Sequence, residues 1–221
     1  MQLNYYFSLN KQFADRLFSR LKEPLPGEKA QMLMGSDIRM NKFRFAPLNE
    51  NTKLSGVMIL LYPHNNQLDS ILILRCDSNG VHSGQVGLPG GKYEKHDADL
   101  ADTALRETSE ETGVNASAIR ILGKLTRLYV PPSNFVIHPF IGYMHKKPEF
   151  IPHPGEVQEI IEYHVCALLK KETIKTKKFT IKRNIIFSAP YFDIHGHVVW
   201  GATAMILSEF AEILKEPGIL S

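Results

Sequence analysis

The chain has 221 residues, of which 43% are hydrophobic and 22% charged. These proportions are ordinary for a folded protein with a real core and exclude an intrinsically disordered chain. Its 26 basic and 23 acidic residues leave a net charge of +3, which suits an anionic small molecule without demanding nucleic acid.

The two cysteines, Cys76 and Cys166, are too few for a disulfide framework or a zinc pattern, and no apolar run is long enough to cross a membrane. The opening Met1-Gln2-Leu3-Asn4 lacks the basic-then-apolar order of a secretory signal, so the expected compartment is the cytoplasm, with both thiols reduced.

In chain order, Phe13, Leu17, Phe18 and Leu21 fall at helical spacing, and Pro24, Pro26 and Gly27 end that helix. The apolar runs Gly56–Tyr62 and Ser70–Arg75 flank Pro63-His64-Asn65-Asn66 and predict a hairpin. Asn79 to Gly91 is glycine-rich and aperiodic, as expected of a structured loop. A helix follows from about Asp97 to Thr112, opened by acidic residues and closed at Gly113. Strands are expected at Ile119–Leu125, Val136–Tyr143, Ile160–Cys166, Phe179–Phe187 and His197–Trp200, with a tight turn at His195-Gly196. A last helix, Ala202–Leu214, puts Ile206, Leu207, Phe210, Ala211 and Leu214 on one face. Helices flanking a mixed sheet make an α/β (α+β) domain. The expected organisation is a helical extension over residues 1–45 and one catalytic domain over 46–221.

The chemistry is concentrated in Gly90-Gly91 and, fifteen residues on, Arg106-Glu107-Thr108-Ser109-Glu110-Glu111-Thr112-Gly113. On a helix Glu107, Glu110 and Glu111 stand at i, i+3 and i+4, with β-carbons about 5–6 Å apart. Three carboxylates that close repel one another unless a cation sits among them, and oxygen-only ligands select Mg²⁺ or Mn²⁺ over zinc. A solvated acidic face is the alternative. Against it stand Arg106, which supplies an orienting cation, and a glycine pair that lets backbone approach a ligand closely. Five fixed positions of this kind arise by chance with odds on the order of 10⁻⁴ at ordinary residue usage.

Residues Gly91 to Val114 resemble the Nudix box, G-x5-E-x7-R-E-U-x-E-E-x-G-U with U apolar. Asp97 stands at the first glutamate, the gap from it to Arg106 is one residue longer, and Thr108 replaces an apolar residue. Upstream, Leu74-Arg75 and His82-x-Gly84-Gln85-Val86-x-Leu88-Pro89-Gly90-Gly91 are similar to the motif preceding the box in coenzyme A diphosphatases of this superfamily. Pro131-Pro132-Ser133-Asn134-Phe135, Glu156–Ile160 and Trp200–Ala204 extend the similarity, so it covers most of the chain from about Leu54. Asn79-Gly80 departs from the subgroup's usual Leu-Arg.

The resemblance implies an α/β/α sandwich with a mixed sheet between helices. It also implies Mg²⁺- or Mn²⁺-dependent hydrolysis of a diphosphate bond in coenzyme A or a related nucleotide, giving 3′,5′-ADP and 4′-phosphopantetheine from coenzyme A. ADP-ribose and ADP-sugars, dinucleoside polyphosphates, RNA 5′ ends and a non-catalytic sensor are the alternatives.

The implied metal ligands are Glu107, Glu111, Glu110 and the Gly90 carbonyl. Glu110, Arg106 and Glu159 (with Glu156 behind it) are candidates for catalysis, and Arg75, His82, Gln85 and Lys92 for substrate binding. Glu111→Gln is expected to lower turnover at least about 10²-fold with folding unaffected. The basic residues Lys170, Lys171, Lys175, Lys177, Lys178, Lys182 and Arg183 are spread among Thr and Ile, which favours a solvated face over an RNA site. His195 and His197 have no third ligand in view, and Trp200-Gly201 is expected to be a packing corner. The expected partner is a small-molecule nucleotide diphosphate, with no nucleic acid and no membrane; the resemblance favours a homodimer.

Overall fold

Twelve residues, Lys53–His64, form strand β1, the spine of the fold. Its side chains alternate between two cores, as the two-residue period of a strand requires. Val57, Ile59 and Leu61 enter one cluster, and Met58, Leu60 and Tyr62 enter the other. Burial on both faces explains why this strand is a continuous apolar run in the sequence. The computed structural model describes residues 12–37, 39, 50–76, 84–181 and 185–220.

The elements before β1 are a helix over 12–20 (α1) and a short helix, Gly27–Gln31 (α2). After it come β2 (Gln67–Arg75), β3 (Val86–Gly87), β4 (Gly90–Lys92) and helix α3 (Leu100–Thr112). These lead into β5 (Arg120–Lys124), β6 (Leu128–Val130), β7 (Phe135–Tyr143) and β8 (Val157–His164). The last elements are β9 (Ile174–Ile181), β10 (Ile185–Ile194), β11 (His197–Val199) and helix α4 (Gly201–Leu214).

The main sheet runs β3-β2-β1-β7-β5, with β4 beside β1, β6 beside β7 and β8 beside β2. β1 is parallel to β7 and antiparallel to β2 and β4, so the sheet is mixed. A smaller sheet, β11-β10-β9, is antiparallel throughout. Helix α3 covers the Met58 face, while α1 and α4 cover the Val57 face. The result is the expected three-layer α/β/α arrangement.

The hairpin joining β1 and β2 turns on Asn65 and Asn66, both at positive φ (45° and 67°), and His195-Gly196 does the same at 53° and 86°. Two positive-φ residues match the twist of the flanking strands, and the Asn and Gly residues adopt that conformation at little cost.

Several expectations are corrected. The glycine-rich stretch contains β3 and β4, too short to show a period. The single strand expected at 179–187 is two antiparallel strands, with Phe179 and Phe187 as cross-strand partners. β6 is only three residues long, too short to show a period in the sequence. α4 is buried well beyond one face, including Ser208 and Glu209. The cause is α2: Ser208 donates to the Ala30 carbonyl at 2.8 Å, and Glu209 accepts from Gln31 Nε2 at 2.8 Å and Gly27 N at 3.1 Å.

Phe13, Ala14 and Leu17 of α1 share the α4-side core, and the boundary expected near residues 45–46 lies outside the described residues. Lys170, Lys171, Lys175, Lys177 and Lys178 are exposed, as a solvated face requires, whereas Lys182 and Arg183 lie outside the described residues. No helix among the described residues is long and apolar enough to cross a membrane. Cys76 and Cys166 are both free.

Candidate active site

Helix α3 is defined at both ends by side-chain and backbone chemistry. Asp99 caps its start, accepting from Ala101 N at 2.8 Å and Asp102 N at 2.9 Å. Gly113 ends it at φ 73°, with its N–H donating to the Ser109 carbonyl at 2.8 Å. Thr108, which stands where an apolar residue is usual, is fully buried; its hydroxyl donates to the Ala104 carbonyl at 2.6 Å. That bond removes the cost of a bare buried hydroxyl.

The loop after β7 closes the far end. Ile151 N and His153 N donate to the Thr112 and Glu111 carbonyls at 2.8 and 3.1 Å, satisfying acceptors that a helix terminus leaves open. Cys76 N donates to the Glu156 carbonyl at 2.9 Å, tying the same loop to the end of β2.

The glutamate ridge is graded in burial. The side chain of Glu111 is 1% exposed, that of Glu107 16%, and that of Glu110 53%. Glu111 accepts from Gly90 N at 2.8 Å and from Arg75 Nη1 at 2.8 Å, while Arg75 Nη2 donates to the Gly90 carbonyl at 2.9 Å. Burial pushes the Glu111 carboxyl up to about 7, against the opposing pull of Arg75. Glu107 is also raised, chiefly by burial. It lies against Gly91, where an added Cβ would sit 2.3 Å from the Glu107 Cδ. Only glycine leaves room for that carboxylate.

Arg106 is the hub of a second network. Its Nε and Nη2 donate to the two Asp97 carboxylate oxygens at 2.8 and 3.1 Å. Its Nη1 is 3.0 Å from both Glu107 Oε1 and Glu110 Oε2, and Nη2 also reaches the Lys92 carbonyl at 3.3 Å. Asp97 is buried and further accepts from Thr103 Oγ1 and Glu94 N. Its bond to Arg106 holds its carboxyl well below the usual carboxylate range. Thus Asp97 lies ahead of α3, not in its first turn as expected, and performs the clasp on Arg106.

Glu111 thus meets Gly90, Glu107 lies against Gly91 and Glu110 meets Arg106, but among the described residues no three Asp, Glu, His or Cys side chains converge as a ready metal site. The carboxylates are bonded to Arg75 and Arg106 instead. The donor chemistry nevertheless fits a hard divalent cation, because every available ligand is oxygen. Burial raises both of the more buried carboxylates even though each has a guanidinium beside it.

The remaining candidates divide. Arg75 turns inward to Glu111 and Gly90, a pairing signalled in sequence only by an arginine ending an apolar strand. Gln85 is half-buried, and its carbonyl accepts from Arg75 N at 3.2 Å. Lys92 is exposed at the end of β4. His82 and Asn79-Gly80 lie outside the described residues. Glu159 shares its strand face with Ile161 of the α4-side core, whereas Ile160 packs with the α3-side core. Alternation therefore aims Glu159 away from α3, and its carboxylate is 3.5 Å from His197 Nε2. His197 is thus tied to a carboxylate partner, and Trp200 packs on Phe179 with ring centroids 4.3 Å apart.

Comparison with known proteins adds to this picture. A family model described as the NUDIX domain matches residues 52–185, more than half of the chain. Nudix hydrolase 22, chloroplastic, of Arabidopsis thaliana is 30% identical over 180 residues, covering 77% of this chain and 58% of that protein. The mitochondrial coenzyme A diphosphatase NUDT8 of Homo sapiens is 36% identical over 141 residues, 63% of this chain and 59% of that protein. A protein described as Uncharacterized Nudix hydrolase NudL, of Yersinia enterocolitica, is 30% identical over 145 residues, 64% of this chain and 72% of that protein. The chain thus spans about three fifths of the length of the plant and human relatives.

Proposed function

Because the chain belongs to the NUDIX domain family, we propose that it hydrolyses the diphosphate bond of a nucleotide derivative, with coenzyme A as the leading substrate. The observation that carries this reading is the ridge of Glu107, Glu110 and Glu111 set against the Gly90-Gly91 wall. The 36% identity to a relative named as a coenzyme A diphosphatase supports the narrower substrate.

Nudix hydrolases generally use divalent metal ions. Here Glu107, Glu111, Glu110 and the Gly90 carbonyl would hold Mg²⁺ or Mn²⁺, which would neutralise diphosphate charge and acidify water. The chain's own residues prepare the rest. Arg75 fixes Glu111 and Gly90 relative to each other, so the wall is set before substrate arrives. Arg106 gathers Glu107 and Glu110, with Asp97 holding the guanidinium in place. Glu110, the most exposed of the three, would take a proton from the attacking water. Glu159 is left out of the proton path because its carboxylate faces His197.

Product analysis across a panel of coenzyme A, ADP-ribose, dinucleoside polyphosphates and nucleoside triphosphates, with Mg²⁺ and Mn²⁺ compared, tests this reading. Release of 3′,5′-ADP and 4′-phosphopantetheine is the expected result. Faster cleavage of ADP-ribose would overturn the coenzyme A assignment, and no cleavage of any member would overturn the enzymatic one.

A further inference from the structure

Residues 151–156, between β7 and β8, are all exposed, so burial does not hold them in place. Backbone hydrogen bonds do. At one end His153 N donates to the Glu111 carbonyl at 3.1 Å, and Ile151 N to the Thr112 carbonyl at 2.8 Å. At the other, the Glu156 carbonyl accepts from Cys76 N at 2.9 Å, one residue beyond Arg75. One short segment therefore grips the backbone of Glu111 and the backbone beside Arg75, the two residues whose side chains meet at 2.8 Å.

A tight turn sets the span between these two grips. Pro154 and Gly155 occupy its centre, and Glu156 N and Val157 N donate to the His153 carbonyl at 3.3 and 3.1 Å. Gly155 has a φ of 103°, and a type II turn demands positive φ at that position, with proline favoured just before it. A Cβ added to Gly155 would meet nothing within 4 Å. The glycine thus serves its backbone angle and not a close approach. The chain then enters β8 through a bulge. Leu74 pairs with Glu159 and Arg75 with Val157, so Gln158 is the extra residue. A bulge re-aims the side chains around it, and this one falls at Arg75.

We infer that Gly155 is a positioning residue for the carboxylate ridge. Its turn fixes the reach from the end of β2 to the end of α3, and so keeps Arg75 in register with Glu111 and the Gly90 carbonyl. The effect passes entirely through backbone. The role rests on the ridge holding a divalent cation, whichever diphosphate is cleaved.

Three variants of the full chain separate position from stability: Gly155→Ala, Gly155→Asn and Gly196→Ala. Alanine resists positive φ, whereas asparagine accepts it in a turn. Gly196, at φ 86° in the β10–β11 turn, also has nothing within 4 Å of an added Cβ. It follows His195, which borders the same hollow as His64, at the far end of β1 from the Val57–Gly90 pair. Its alanine variant therefore carries a like backbone strain away from the ridge. Calorimetry reads Mn²⁺ affinity, and urea unfolding reads the fold. Gly155→Ala should bind Mn²⁺ about tenfold more weakly, the scale of a modest misplacement, and Gly155→Asn should recover most of the loss. Gly196→Ala should unfold at lower urea while keeping wild-type affinity. Wild-type affinity in Gly155→Ala, an equal loss in Gly196→Ala, or no Mn²⁺ binding by the unaltered chain overturns the role. So does a Gly155→Ala chain that does not fold, which would assign the turn to the fold alone. The expected affinities in a protein that cleaves no diphosphate uphold the role of Gly155 and remove the hydrolase reading.

Discussion

Arg75 and Glu111 come from different layers of the fold, one ending a strand and the other near the end of a helix, and meet at 2.8 Å. The same guanidinium reaches the Gly90 carbonyl, and the same carboxylate accepts from Gly90 N. Three segments are thereby fixed to one another at the point where the chemistry is proposed.

This arrangement changes what Glu111→Gln should do. Both carboxylate oxygens accept hydrogen bonds in a buried setting, and a glutamine would present its NH₂ to one of those donors. Turnover should fall at least about 10²-fold, and unfolding free energy should also drop by about 1–3 kcal/mol for the stranded donor. The folding-neutral outcome expected from sequence does not suit this site. Glu107→Gln is the cleaner probe: the same loss of turnover, with urea-unfolding midpoints close to wild type. Wild-type turnover in Glu107→Gln would remove it from the site.

Gly91→Ala should act through Glu107. The added methyl would fall 2.3 Å from the Glu107 carboxyl carbon, and a flexible side chain end moves more cheaply than backbone. The protein should fold, with turnover reduced at least about tenfold by the displaced carboxylate. Unimpaired kinetics would show that the position of Glu107 does not matter.

Asp97 offers a pH test of stability. Its carboxyl is held below its ordinary value of 3.8 by Arg106, so the folded state binds the proton less readily than the unfolded one. Its stabilising contribution is therefore full above about that value and declines as pH falls further. Asp97→Asn should cost about 3 kcal/mol at neutral pH, with the gap to wild type narrowing below pH 3.8. Asp97→Glu, although it restores the usual residue of the motif, should cost about 1–3 kcal/mol, because an extra methylene must enter a closed site. Denaturant unfolding across pH measures both; a gap that widens in acid would contradict the pairing.

Metal affinity should titrate with Glu111. Its folded carboxyl stands near 7 against an ordinary 4.5, so between those values the folded metal-free protein retains a proton that the unfolded chain has lost. Stability without metal should decline as pH rises through that window. A cation must displace the same proton, so Mn²⁺ binding should tighten about tenfold per pH unit up to about 7 and level off above. Calorimetric titrations at pH 5.5 to 8 check this, and a pH-independent affinity would exclude Glu111 as a ligand.

Local rules were enough to locate much of this protein. The apolar run of β1, the positive-φ turns, the cap at Gly113 and the spacing of Glu107, Glu110 and Glu111 all act within a few residues, where period and backbone sterics dominate. Chain folding over long distances decided the rest. The bonds from Arg75 to Glu111 and from Glu159 to His197 join residues whose proximity depends on how strands align and helices cross. The short strands β3, β4 and β6 are held by pairing with neighbours rather than by any pattern of their own. Glu159 illustrates the divide: its sequence position made it a candidate base, but strand alternation turned its carboxylate to the opposite face of the sheet.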